Sequence, residues 1–272
     1  MLNLTYHLQG VCIRLKIPEK RVFVPNFVGL FNATQIRLRP GDTVVDIGTG
    51  AGLHAILCAK LGARRVFGID VSADAIRTAR LNARLNGVAG RCRFLRGSFV
   101  DRLPRLRGRP DLIVSTLPST PGASRLMREP AMRRTPLVSR FLSGGRDGAE
   151  LSVALVEAAR QSLAPGGRLH LHLVDWSNSR RTLAELERRG FHVLPLAQAC
   201  IPPWGQRCNA LGAILKRAHG RPWTVRYAGL PRRPGCGVRV VEARLGAKPR
   251  SRAGMPAEAV VEIVPRSHIT CL

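Results

Sequence analysis

Short apolar runs alternate with segments of helical periodicity along most of this chain. Five runs have the length of a buried strand: 43–47, 66–69, 92–95, 111–115 and 168–174. Four intervening segments repeat apolar residues every three or four positions, as an amphipathic helix does: 53–61, 73–86, 150–163 and 179–189. Strands that alternate with helices in this way predict an α/β fold built on a mostly parallel sheet.

The last third of the chain adds more strand-like segments. They are 191–196, 211–216 as the last and antiparallel strand of the sheet, 238–243 and 259–264. A chain of 272 residues has room for one main domain with additions. We predict an N-terminal extension, 1–40, that lines the entrance to the site; a main domain, 41–217; and a basic C-terminal extension, 218–272, that can add an edge β-hairpin or a surface for a partner.

The turn after the first central strand carries the most specific pattern. Asp46 begins a D-x-G-x-G-x-G run whose glycines, Gly48, Gly50 and Gly52, let the backbone turn sharply and approach a ligand. A dinucleotide site favours G-x-G-x-x-G, and here the third glycine comes one residue too early. Asp70 ends the next predicted strand, where a carboxylate can accept hydrogen bonds from ribose hydroxyls. The pattern predicts a nucleoside site of another kind.

With Asp46 before it, this glycine run resembles motif I of the class I S-adenosylmethionine (SAM) methyltransferases, and Asp70 resembles their ribose-binding acid. The resemblance covers roughly residues 39–216. It implies a Rossmann-like class I methyltransferase fold, with a seven-stranded, mostly parallel sheet and helices on both faces. It also implies S-adenosyl-L-methionine as the cofactor and no metal.

The same resemblance implies a set of cofactor-binding residues. Asp46 and the loop from Gly48 to Gly52 would orient the methionine part, Asp70 the ribose, and Ser98 with Phe99 the adenine. A role for Ser98 in capping a turn is equally open. The full implied set is Asp46, Gly48, Thr49, Gly50, Gly52, Asp70, Val71, Ser98 and Phe99.

Two further segments resemble the HemK/PrmC-like methyltransferases, namely N-A-R-L-N-G at 82–87 and D-L-I-V-S-T-L-P-S at 111–119. In that group the second segment reads D-L-I-V-S-N-P-P-Y, and its Asn and adjacent proline carbonyl hold the acceptor nitrogen. Here Thr116 replaces the Asn, Leu117 the first Pro and Ser119 the Tyr, while Pro118 matches. A Thr hydroxyl is shorter than an Asn amide and has a single proton. Thr116, Leu117 and Pro118 are therefore the implied acceptor-side residues, for an acceptor that stays open.

The predicted strand 168–174 carries two histidines on one face. As mid-strand side chains, His170 and His172 are expected in the core rather than as general bases. Asp175 and Trp176 follow the strand and are expected at the cleft, with Asp175 a further acceptor-side candidate.

The charge, the cysteines and the apolar stretches of the chain indicate which partners and which cellular compartment to expect. The formal net charge is +27, which favours contact with a nucleic acid or another polyanion, although the basic residues are spread along the chain. The seven cysteines have no C-x-x-C spacing, which favours reduced thiols and matches no standard zinc site. With no apolar stretch near about 20 residues and no signal-peptide core, we expect a cytoplasmic protein that makes no membrane contact.

Three functions fit these observations. The first is methyl transfer to a nitrogen of a protein or RNA acceptor. The second is a small-molecule N- or O-methyltransferase of secondary metabolism, favoured by the changed residues at 116–119. The third is a SAM-binding scaffold without transfer activity.

Overall fold

A seven-stranded sheet lies at the centre of the computed structural model, which describes residues 1–18, 20–121, 143–201 and 236–246. An N-terminal hairpin precedes the sheet. The strands are β1 (Leu2–Leu8), β2 (Val11–Ile17), β3 (Thr43–Ile47), β4 (Arg65–Asp70), β5 (Cys92–Arg96), β6 (Leu112–Ser115), β7 (Arg168–Val174), β8 (Phe191–Ile201) and β9 (Cys236–Leu245).

Helices cover both faces of this sheet. They are α1 (Phe27–Thr34), α2 (Leu53–Lys60), α3 (Ala73–Leu85), the short α4 (Phe99–Arg102), α5 (Glu150–Ser162) and α6 (Ser179–Arg188), with a 3-10 turn at Leu103–Arg105. One buried apolar cluster joins the sheet to α2, α3 and the β1–β2 hairpin, and a second joins its other face to α4, α5 and α6. The faces are apolar because both sides of each parallel strand are covered.

The strand order is β5-β4-β3-β6-β7-β9-β8. The first five of these strands are parallel, and β9 is antiparallel to both of its neighbours. The predicted seven-stranded, mostly parallel sheet with helices on both faces is confirmed. Because the chain order reverses between β3 and β6, the carboxyl ends of these strands form the crevice in which α/β folds bind ligands.

The role predicted for residues 238–243 is corrected by the structure. They belong to β9, which lies inside the sheet between β7 and β8 rather than in an edge hairpin. Val238, Val240 and Ala243 are fully buried, as expected for a strand with neighbours on both sides. The sheet therefore extends beyond the predicted domain end at 217. The segments predicted as strands at 211–216 and 259–264 lie outside the described residues.

Buried charges join β9 to the rest of the sheet. Arg168, at the start of β7, donates to Glu242 of β9 at 3.3 Å and also pairs with Asp42, which precedes β3. All three side chains are at most 4% exposed. The Arg168 guanidinium further donates to the Arg37 carbonyl at 2.6 Å. One cation thus compensates two buried carboxylates from distant parts of the chain.

Candidate active site

A cleft of about 950 Å³ opens at the carboxyl ends of β3, β4, β5 and β6. The loops that follow these strands form its floor, and part of its rim comes from Phe23, before α1, and from Val28, in the first turn of α1. This position is the crevice expected from the strand order.

The glycine loop between β3 and α2 lines the cleft. Gly48, Gly50 and Gly52 have φ values of 72°, 52° and 91°, which side chains with a Cβ rarely adopt. A Cβ on Gly52 would lie 3.2 Å from the Cβ of Ala79 in α3, so this glycine also allows close packing of two helices. The Ile69 carbonyl of β4 accepts from the backbone N–H of Gly48 at 2.9 Å and from that of Thr49 at 3.1 Å. The loop is therefore fixed against β4.

Asp46 lies beneath this loop and does not line the cleft. It is fully buried, and its Oδ2 accepts from the Thr49 hydroxyl at 2.7 Å and from the Ala55 N–H at 3.1 Å. Burial raises the pKa of its carboxyl, while the nearby His54 lowers it. Its hydrogen bonds join the loop to the first turn of α2, so Asp46 fixes the loop from below.

Asp70 lies at the end of β4 on the floor of the cleft. Its Oδ2 accepts from the Gly50 N–H and its Oδ1 from the Ser72 N–H, each at 2.9 Å. Burial raises the pKa of this carboxyl, and backbone hydrogen bonds from Ser72, Gly50 and Val71 oppose that shift. A carboxylate oxygen has two lone pairs, so each retains one for a ligand hydroxyl. The next residue, Val71, lines the cleft with 69% of its surface exposed.

Ser98 and Phe99 line the cleft beyond Asp70. The Ser98 hydroxyl accepts from the Val100 N–H at 3.3 Å and caps α4, so the capping role that the sequence left open is present. Phe99 is 8% exposed, and its side chain belongs to the apolar cluster below the cleft.

Gly68 in β4 supports the loop from below, where a larger residue would not fit. A Cβ there would lie 2.5 Å from the Phe94 ring and 2.8 Å from the Thr49 hydroxyl. We expect Gly68→Ala to destabilise the fold by about 1–3 kcal/mol through overpacking, as urea denaturation would measure. Gly90→Ala is the matched control, since a Cβ at Gly90 meets no atom within 4 Å. Equal stability of the two variants would contradict this packing.

The exit of β6 forms the other side of the cleft. Thr116, Leu117, Pro118 and Ser119 line it in succession, with Leu117 packed close to Gly48. The Trp176 indole also lines the cleft and donates to the Ser119 hydroxyl at 3.3 Å. The implied acceptor-side residues therefore lie directly across from the glycine loop.

Asp175 is turned away from this site. Its carboxylate accepts from the backbone N–H of Gly237, at the start of β9, at 3.0 Å. It does not line the cleft, so its predicted place there is wrong. The adjacent Trp176 does line the cleft, as expected.

Some residues that line the cleft were not predicted from the sequence. Arg96, at the end of β5, and Leu151, in α5, are two of them, whereas Phe23 and Val28 belong to the segment 1–40 that was predicted to line the entrance. Leu151 reaches the cleft only because the first turn of α5 packs beside the β6 exit. No local pattern distinguishes it from the other apolar residues of that helix.

The histidines of β7 are buried, as predicted. His170 is fully buried with its Nε2 3.2 Å from the Asn32 carbonyl, and His172 is 7% exposed at the cleft wall. Burial lowers the pKa of His170 to about 3 and that of His172 to about 4. Both rings are therefore neutral at neutral pH.

Comparison with known proteins agrees with this geometry. The family model for ribosomal protein L11 methyltransferase (PrmA) matches residues 30–117. A release factor glutamine methyltransferase from Deinococcus radiodurans is 38% identical over 149 residues, which are 54% of this chain and 51% of the relative. The solved structure of the M. jannaschii tRNA m1G37 methyltransferase superposes with a TM-score of 0.54 at 13% identity, over 90% of this chain and 57% of that one. This chain has the class I SAM methyltransferase fold.

A further relative of this methyltransferase fold acts on a small molecule. The 4-amino-L-phenylalanine/4-methylamino-L-phenylalanine methyltransferase of Streptomyces pristinaespiralis is 32% identical over 155 residues, which are 57% of this chain and 51% of the relative. The matches cover between 25% and 51% of the curated relatives' own length. Within the described residues, no helix has the length and apolar character needed to cross a membrane.

Proposed function

We propose that this protein is a SAM-dependent methyltransferase that transfers a methyl group to a nitrogen of a protein or RNA acceptor. The observation that carries the proposal is the 2.9 Å hydrogen bond from the Gly50 N–H to Asp70. It joins the glycine loop to the acid on the floor of a cleft at the switch point of the sheet. The relatives that act on ribosomal protein L11 and on release factors support a protein acceptor.

The residues of the cleft fit a nucleoside ligand. The glycine loop brings backbone to the cleft without Cβ atoms, and Asp70 retains acceptor lone pairs for two ribose hydroxyls. Val71, Ser98 and Phe99 continue along the cleft wall, where an adenine would lie. We assign the loop from Gly48 to Gly52 to the methionine part. When bound, SAM supplies an electrophilic methyl group on its sulfonium.

The β6 exit is the proposed acceptor side. The carbonyls of Thr116 and Leu117 would accept N–H hydrogen bonds from the attacking amine and orient its lone pair, while Pro118 restricts the backbone. Among the described lining residues the carboxylates are Asp70 and Asp74, and both lie on the cofactor side. Neither carboxylate therefore faces the acceptor side, and no carboxylate among the described lining residues is assigned the proton that the acceptor nitrogen loses.

We expect Asp70→Ala to weaken SAM binding about 100-fold, because two charge-assisted hydrogen bonds of about 1.5 kcal/mol each are lost. Isothermal titration calorimetry with the purified protein measures this loss. Asp74→Ala is the matched control: it removes a carboxylate of the same cleft that is already paired with Arg77 at the protein surface. Absence of SAM binding by the wild type, or equal loss in both variants, would refute the assignment.

The acceptor class is tested by transfer of a labelled methyl group into fractionated lysate. Label in the protein or RNA fraction supports the proposal. Label in the small-molecule fraction would favour the alternative that the Streptomyces pristinaespiralis relative supports. Ser119 in place of an aromatic residue also favours that alternative, because it removes a ring that could pack on a planar acceptor. Tight SAM binding with no label in any fraction would indicate a scaffold without transfer activity.

A further inference from the structure

Three neighbouring elements at the β5 end of the sheet form a surface that is almost entirely basic. We call the exposed cations of β2, α3 and β5, with the residue before β5, the basic strip. Its members are Arg14, Lys16, Arg77, Arg80, Arg84, Arg91, Arg93 and Arg96. On these elements Asp74 is the one carboxylate, and it pairs with Arg77.

Hydrogen bonds between the elements make the strip continuous. The backbone N–H of Lys16 donates to the Asn82 side chain at 2.8 Å, and that of Arg14 to the Asn86 side chain at 3.0 Å, which joins β2 to α3. On the other side, Arg80 of α3 donates to the Phe94 carbonyl of β5 at 2.9 Å. The cations of α3 recur at i, i+3 and i+7, so they share one helix face.

Several of these cations have no partner in the described part of the protein. The side chains of Lys16, Arg84, Arg93 and Arg96 form no hydrogen bond or ion pair with any described residue. Arg96 also lines the cleft, so the basic strip reaches the edge of the proposed site. Unpaired like charges repel one another, and a polyanion would relieve that repulsion.

At the opposite end of the sheet, many surface cations are paired with carboxylates. Arg189, directly after α6, pairs with Glu157 of α5 and Glu185 of α6, and Arg188 also pairs with Glu185. Arg181 pairs with Asp147 at 3.2 Å. The charges there are largely compensated within the protein, so the high net charge of the chain is unevenly distributed over the described surface.

We propose that the basic strip binds the phosphate backbone of RNA. Arginine guanidinium groups match phosphate oxygens in bidentate geometry, and a row of cations suits a chain with one charge per nucleotide. The exposed side chains of these three elements include no aromatic ring for base stacking, so the binding is independent of base sequence. RNA binding by the strip does not depend on methyl transfer, since the cations of the strip other than Arg96 lie outside the cofactor cleft.

The test measures binding of a fluorescein-labelled oligouridylate of about 20 nucleotides by fluorescence anisotropy at several salt concentrations. The strip variant carries Lys16→Gln, Arg84→Gln and Arg93→Gln. Three lost phosphate contacts would make the negative slope of log K against log salt shallower by about 2, and would weaken binding about 100-fold near 0.1 M salt. SAM binding should be unchanged, which separates this result from the proposed function.

The control variant removes three positive charges outside the strip, with Arg146→Gln, Arg180→Gln and Arg239→Gln. These three arginines are exposed, and they lie on the loop before α5, on α6 and on β9. Equal weakening in both variants would show that net charge alone attracts RNA and would overturn the proposal. Absence of RNA binding by the wild type, or equally tight binding of polyglutamate, would also overturn it. A second measurement uses the wild type alone, so it does not depend on whether the variants fold. Crosslinking of the oligonucleotide should label peptides within 14–16 and 77–96.

Discussion

Arg168→Met is expected to destabilise the protein by about 3–5 kcal/mol, because it removes the cation of a buried ion network and leaves the Asp42 carboxylate buried without an ion-pair partner. Asp42 would keep a buried carboxylate without an ion-pair partner, and Glu242 would keep only the partly exposed Arg244. Arg168 also donates to the Arg37 carbonyl, which would lose that partner. Urea denaturation monitored by circular dichroism measures the free energy of unfolding.

The matched control is Arg244→Met. Arg244 also pairs with Glu242, at 2.8 Å, but its side chain is 37% exposed, and Glu242 keeps Arg168 in that variant. We expect a cost of at most about 1 kcal/mol there, as for other solvent-accessible pairs. A loss in Arg168→Met no larger than in the control would show that the network does not hold β9 in the sheet.

Acidification is expected to unfold the protein through His170 and His172. Burial lowers the pKa of these rings to about 3 and about 4, whereas in the unfolded chain they titrate near the ordinary histidine pKa of 6.5. Below pH 6.5 the unfolded state therefore binds more protons than the folded state, and stability falls as the pH falls. At about 1.4 kcal/mol per pH unit for each ring, the two together remove about 5 kcal/mol between about pH 6.5 and pH 4.5.

Other buried titratable groups near these rings either add to the loss of stability at low pH or offset it. Burial also lowers the pKa of His54, which adds to the acid sensitivity. Burial raises the pKa of the Asp46 and Asp70 carboxyls, so protonation of these two groups partly offsets the loss of stability at low pH. Comparing variants with the wild type cancels these contributions.

The measurement is the free energy of unfolding between about pH 7 and pH 4.5, for the wild type and for His170→Gln. The variant lacks one titrating ring, so its stability should fall by about 1.4 kcal/mol less per pH unit than that of the wild type. His7→Gln, on the exposed face of the β1–β2 hairpin, is the control and should keep the wild-type dependence. Identical pH dependence in all three proteins would exclude His170 as a cause of acid unfolding.

Local patterns determined most of the elements and the nucleoside end of the site. The predicted helix at 73–86 is α3 at Ala73–Leu85, and the strand at 168–174 has the bounds of β7, because apolar periodicity reports directly which face of an element is buried. The glycine run and Asp70 needed no further information, since positive φ values and a strand-end acid are encoded within about 25 residues.

Only the tertiary structure decided the arrangements that depend on residues distant in the chain. The sequence could not place β9 between β7 and β8, since its pairing with Arg168 and its neighbours spans more than 60 residues. It also could not turn Asp46 beneath the loop or Asp175 towards Gly237, because the direction of a side chain depends on packing rather than on spacing. The basic strip likewise exists only after folding, which brings cations from β2, α3 and β5 side by side.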